Sequence, residues 1–172
     1  MDGGDVQMVE VQLGRKVNNL RRVIRRCSFG YPVVVESLPE KDGKPFPTLY
    51  WLTCPFLRRE VSKLEEAGWI KRFEEMLEER EDFKERLYRA HEEIIRRRDM
   101  LVKDDRIRKI LKDVGSGGIR DFDHVKCLHL HLADFLAGVD NPIGEQVWLL
   151  LGPKECEGGR MCERLVEGRD GE

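Results

Sequence analysis

Two short β-type runs separated by a turn are what most restrict the folds open to this chain. Pro32-Val33-Val34-Val35-Glu36 is β-branched, and Thr48-Leu49-Tyr50-Trp51-Leu52-Thr53 is rich in strand-forming residues. Between them, Glu40-Lys41-Asp42-Gly43-Lys44-Pro45 carries turn chemistry centred on Asp-Gly. A lone two-stranded ribbon is marginal in water, so these strands must gain partners or lie against helices. The expected fold is therefore α+β: a small antiparallel β-hairpin or sheet packed against several helices, one of them long and charged.

The remaining sequence is written mostly in helical period. Residues 5–13 are weakly amphipathic and end at Gly14. Leu20, Val23, Ile24 and Cys27 recur at steps of three and four, which predicts a helix capped at Asn18 or Asn19. Cys54-Pro55 has the cap and first position of another helix, running to Gly68. A long helix is expected over about residues 69–102, either half of a hairpin or a protruding arm for a homodimer. A shorter helix over 105–114 stops at Gly115-Ser116-Gly117-Gly118. Leu128, Leu132, Phe135 and Leu136 mark a helical face over 124–137, and Asn141-Pro142 opens a last helix to about Leu151. Residues 1–151 thus read as one domain. From Gly152 the composition turns to Gly, Glu and Arg, which predicts a mobile tail over 152–172.

Charged residues make up 37% of the chain, well above the ~25% of ordinary soluble domains. Lys, Arg and Glu dominate, a bias of proteins from hot environments. The net charge is only -2, with no global basic field, so nucleic-acid binding is not favoured. The one basic run, Arg15 to Arg26, reads first as a solvated helix face. No apolar run approaches the ~20 residues that span a bilayer, and no signal-peptide pattern follows Met1, so a cytoplasmic location is expected. Five cysteines at wide, irregular spacing then read as thiols or metal ligands before disulfides.

Chemistry concentrates at His124-Val125-Lys126-Cys127-Leu128-His129-Leu130-His131, which holds three of the four histidines. On a strand, Cys127, His129 and His131 would share a face. On a helix, favoured by the leucine spacing, Cys127 and His131 are neighbours and His129 points elsewhere. Cys27 and Cys54 flank the hairpin and should lie at one end of it. Cys27, Cys54, Cys127 and His131 would make a Cys3His shell for zinc, with an iron–sulfur cluster as the alternative and His129 and His124 as further donors. The opposing reading is inert buried thiols and a hydrogen-bonded histidine. Cys54 at a helix N-terminus has a second possible role as a thiolate nucleophile, and its proximity to Cys27 also permits a disulfide. Gly117, Gly118 and Arg120 suggest an anion nest, against the simpler reading of a flexible connector. Cys156 and Cys162 have a spacing that fits no common zinc motif and are left out.

Four segments together resemble a known family. They are Arg26-Cys27-Ser28-Phe29-Gly30-Tyr31-Pro32, the stretch from Pro45 through Tyr50-Trp51-Leu52-Thr53-Cys54-Pro55, Gly117-Gly118-Ile119-Arg120-Asp121, and Val125 through His131 to Asn141-Pro142-Ile143-Gly144. Over roughly residues 10–150 the chain resembles the uncharacterised bacterial family named domain of unknown function 501. Ser28 departs from the proline expected there in many relatives. The resemblance implies that Cys27, Cys54, Cys127, His129, His131, Arg120 and Asn141 lie inside family motifs, and it implies no reaction. Two functional readings follow. One is a regulatory or structural metal-binding module. The other is an enzyme acting on a phosphorylated or otherwise anionic small molecule through the glycine loop, Arg120 and the Cys/His segment; its catalytic residues stay unassigned.

Overall fold

The computed structural model describes residues 1–168. Strand β1 (Leu20–Arg26) pairs antiparallel with β2 (Pro32–Ser37), and β2 pairs antiparallel with β5 (Tyr50–Leu52), so the valine run lies in the middle of the sheet. Strands β3 (Glu40–Lys41) and β4 (Lys44–Pro45) form a separate ribbon. Its turn residues Asp42 and Gly43 both have positive φ, 53° and 75°, the backbone that an Asp-Gly pair favours. Helices surround the sheet, and the α+β class holds.

The helix expected from Val17 to Cys27 is instead β1. Its pairing with β2 slips between Leu20 and Arg22, between Val23 and Arg25, and between Arg25 and Arg26. Irregularities of this kind interrupt the two-residue alternation, and apolar side chains then recur at three- and four-residue steps. The basic run is correspondingly not a helix face. Arg21 and Arg22 both donate to the buried carboxylate of Glu36, at 2.6 and 3.1 Å, and Arg26 pairs with Asp5 at 2.7 Å.

Helix α1 (Gly3–Leu13) precedes the sheet, and α2 (Pro55–Glu66) follows it with Cys54 at its cap. The long helix is two helices, α3 (Trp69–Glu79) and α4 (Glu81–Asp99), broken at Arg80, whose backbone is extended at φ -125°, ψ 105°. The six-residue step from Leu77 to Phe83 fits neither three nor four. One extended residue restores the phase, and Phe73 stacks on Phe83 with centroids 6.5 Å apart. The apolar stripe assigned to a protruding arm, including Phe73, Leu87 and Ile94, is buried in the chain's own core.

Helix α5 (Asp105–Leu111) leads into a tight 3-10 turn at Ser116–Gly118. Helix α6 (Leu128–Leu136) lies at the centre of the molecule, against β5, α2 and α7 (Pro142–Leu150). Asn141 caps α7 as expected, its Oδ1 accepting the N–H of Ile143 and Gly144 at 3.0 Å each.

The segment expected as a mobile tail is folded as far as it is described; residues 169–172 lie outside the described residues. A 3-10 turn at Glu157–Gly159 leads into α8 (Arg160–Glu167), which packs on α1 and α2 and buries Cys162. Glu155 accepts hydrogen bonds from the backbone N–H of Ser28 at 2.7 Å and from its hydroxyl. Gly159 sits at φ 70°, where a Cβ would come within 2.8 Å of the Phe29 ring. Such point contacts hold a segment whose average composition looks like a tail.

Candidate functional site

A pocket of about 590 Å³ opens between α2, β5, the start of α6 and the residues that follow α1. That volume lies within the range of small-molecule sites. Trp51 and Leu130 supply apolar wall, while Arg15, Arg58, Arg59 and Lys126 supply positive charge. Arg15 lies over the Trp51 ring at 5.3 Å, Arg58 donates to the Gln12 carbonyl at 3.2 Å, and Lys126 donates to the Gly117 carbonyl at 2.6 Å. Arg59 pairs with the carboxylate of Glu60 at 3.3 Å. Among the described residues no Asp or Glu lines the pocket. Cations around a partly apolar cleft without a carboxylate in its lining favour an anion that carries an apolar part.

His129 reaches this pocket from the first turn of α6. Its Nδ1 lies 3.1 Å from Glu65 Oε1, and Glu65 Oε2 accepts the Leu128 N–H at 3.0 Å. One carboxylate on α2 therefore orients the imidazole and caps α6. His129 Nε2 lies 3.0 Å from the Arg58 carbonyl and 3.2 Å from Ser62 Oγ. Ser62, His129 and Glu65 stand in the order of a hydrolytic triad. However, Ser62 gives its own hydrogen to the Arg58 carbonyl at 2.9 Å, and Nε2 faces that same carbonyl. Nε2 is therefore placed against a carbonyl acceptor rather than to take a proton from Ser62.

Cys127 lines the same pocket, and this changes the pairing expected for it. It is the N-cap of α6, with extended backbone at φ -130°, ψ 151°. The helical rule joining positions four apart does not reach a residue outside the helix, so Cys127 shares a cleft with His129 rather than with His131. Burial pushes its thiol above the ordinary range.

His131 is fully buried. Asn141 Oδ1 is committed to capping α7, so its Nδ2 is the group that faces His131 Nδ1 at 3.0 Å. That contact uses the Nδ1 lone pair and places the ring proton on Nε2, which disfavours metal ligation through either nitrogen. Burial and the neighbouring His91 push the His131 pKa down to about 3.

Cys27 and Cys54 do come together, as the hairpin argument expects, lining a second and much smaller cavity. Cys127 and His131 do not join them, so the Cys3His set is divided among three places. Among the described residues no three His, Cys, Asp or Glu side chains stand as a ready-made metal shell. Burial drives the Cys54 thiol up to about 11, and the N–H groups of Leu57 and Phe56 offset this only in part, which opposes a thiolate nucleophile there. His124 is an exposed side chain, 3.4 Å from Asp121.

The glycine loop is packed rather than open. Ser116 N–H donates to His91 Nδ1 at 3.0 Å, Gly115 N–H to the Ile119 carbonyl at 2.7 Å, and Gly118 N–H to the Gly115 carbonyl at 3.3 Å. Amides spent internally cannot cradle an anion. Arg120 is exposed and lies off the pocket, which Gly117 alone of the three expected anion ligands helps to line. Of the cations that do line it, Arg15 opens the basic run and Lys126 lies in the His/Cys segment, while Arg58 and Arg59 sit at spacings without any motif.

No helix among the described residues is long and apolar enough to cross a membrane. Neither the curated proteins nor the solved structures give a match. The family model described as Protein of unknown function (DUF501) matches residues 23–149, most of the sheet together with α2 through α6 and nearly all of α7, and the chain belongs to that family.

Proposed function

We propose that this protein binds a small anionic molecule, phosphorylated or carboxylated and with an apolar portion, in the pocket between α2, β5 and α6. His129, oriented by Glu65 and engaged at both ring nitrogens, then forms a fixed part of the pocket wall beside the bound ligand. The observation that carries this reading is the lining itself: Arg15, Arg58 and Lys126 reach a 590 Å³ cleft that no Asp or Glu among the described residues lines, beside an oriented imidazole. Arg58 offers planar, two-pronged donation, and Lys126 a mobile point charge.

The test is a thermal-shift series with inorganic phosphate, pyrophosphate, nucleoside monophosphates and aromatic carboxylates. At a hundredfold excess over Kd, binding adds about 2.7 kcal/mol, which for a chain of this size raises the melting temperature by roughly 5–10 °C. Arg58→Ala combined with Lys126→Ala should abolish the shift, whereas His129→Gln should keep it. A flat response across the panel, or an undiminished shift in the double variant, rejects the reading.

A further inference from the structure

Four of the chain's five cysteines line one cavity. Cys27 lies just past β1, Cys54 caps α2, Cys156 precedes the last 3-10 turn, and Cys162 sits in the first turn of α8. The cavity is small, about 20 Å³, and Phe29, Phe56 and Met161 form much of its apolar wall. Four sulfurs drawn from four separate segments around a space of atomic size are the donor set of a structural thiolate centre.

The surroundings are built to hold the last two cysteines in place. Glu155 clamps the Ser28 backbone immediately beside Cys27, and Gly159 lets the chain pass against Phe29. Gln12 Nε2 lies 3.3 Å from Cys162 Sγ, a donor aimed at the sulfur. Hydrogen bonds to ligating sulfur are a regular part of such centres. Lys154 also lines the cavity and brings positive charge to an otherwise apolar wall.

We infer that Cys27, Cys54, Cys156 and Cys162 ligate a thiophilic metal centre that ties the C-terminal segment to the sheet. The four cysteines line the cavity, while among the described residues no three donors already stand as a metal shell, so ligation requires the sulfurs to be drawn together around the ion. For a divalent ion the step is four thiols plus M²⁺ giving the tetrathiolate complex and four protons released to solvent. An iron–sulfur cluster uses the same four thiolates with iron and inorganic sulfide supplied from outside. The set differs from Cys27, Cys54, Cys127 and His131 in its last two members. Both new members lie beyond the residues that the family model matches.

Protein purified anaerobically without added metal is assayed for zinc, iron and acid-labile sulfide, before and after incubation with each. About one zinc per chain in a colourless protein, or iron and sulfide in a coloured one, is the expected result. Cys156→Ser together with Cys162→Ser should lower the bound metal by about tenfold or more. Cys127→Ser should leave it unchanged, and circular dichroism checks that each variant is folded. No metal in the native protein after incubation, a Cys27–Cys54 or Cys156–Cys162 disulfide in the anaerobic sample, or metal that follows Cys127 instead, each overturns the inference.

Discussion

Arg98 is the largest fully buried side chain among the described residues, and main-chain carbonyls accept the hydrogen bonds of its guanidinium. It donates to the carbonyls of Pro47 at 2.9 Å, Gly115 at 3.3 Å, Leu111 at 2.6 Å and also Val114. These carbonyls come from three separate stretches, so a single side chain joins the approach to β5, the end of α5 and the glycine loop. Burial lowers its pKa to about 10, which still leaves it charged at neutral pH. Arg98→Leu would remove the donor and strand buried acceptors. The expected loss is about 3 kcal/mol or more, because each buried unpaired polar group costs about 1–3 kcal/mol. Urea unfolding of the variant checks it, and a loss below 1 kcal/mol would mean that these carbonyls find other partners. Arg98→Lys should recover only part, since an ammonium lacks the planar fork.

At the scale of elements, α6 and α7 cross unusually closely at Gly144. A Cβ there would lie 2.1 Å from the His131 carbonyl oxygen and 2.5 Å from Phe135 Cβ. Gly144→Ala is therefore expected to destabilise by about 1–3 kcal/mol despite its better helix propensity, because overpacking outweighs the gain. A thermal melt measures it, and a variant as stable as the native chain would show that the helices can separate freely. Elements also show how far the sequence was legible. Turns and caps whose chemistry is local, Asp42-Gly43 and Asn141-Pro142 among them, were readable residue by residue. Strand β1 was not, because its irregular pairing with β2 imitates helical spacing. Nor was the break at Arg80, where the phase slip between Leu77 and Phe83 was the available signal.

At the scale of the whole molecule, stability should follow three buried titratable groups around the glycine loop. Ser116 joins two of them, donating its N–H to His91 and its hydroxyl to Asp134 at 2.5 Å. Burial holds His91 down at about 4 and His131, with His91's help, at about 3, and raises Asp134 to about 7. Between roughly pH 4.5 and 6 the unfolded histidines bind two protons that the folded ones do not, while folded Asp134 binds one that the unfolded carboxyl does not. Folding then releases one net proton, so stability rises with pH at about 1.4 kcal/mol per unit. Near pH 7 the partly titrated unfolded histidines and the folded Asp134 bind nearly equal numbers of protons, so stability levels off there. Urea unfolding from pH 4.5 to 8 should therefore show stability rising with pH and levelling off near pH 7, and His131→Gln should flatten the acid side. A profile that is flat or falls between pH 4.5 and 6 would contradict the assignment.

What the sequence by itself determined is what local chemistry encodes: the α+β class, the central valine strand, most helix boundaries, and the meeting of Cys27 with Cys54 at one end of a hairpin. What only the tertiary structure decided is which distant segments share a cavity. Cys127 went to a cationic pocket with His129, His131 to a buried hydrogen bond with Asn141, and Cys156 and Cys162 to the two hairpin thiols. Such groupings depend on long-range contacts, Ser28 with Glu155 and Glu65 with Leu128, that no periodicity or spacing along the chain records.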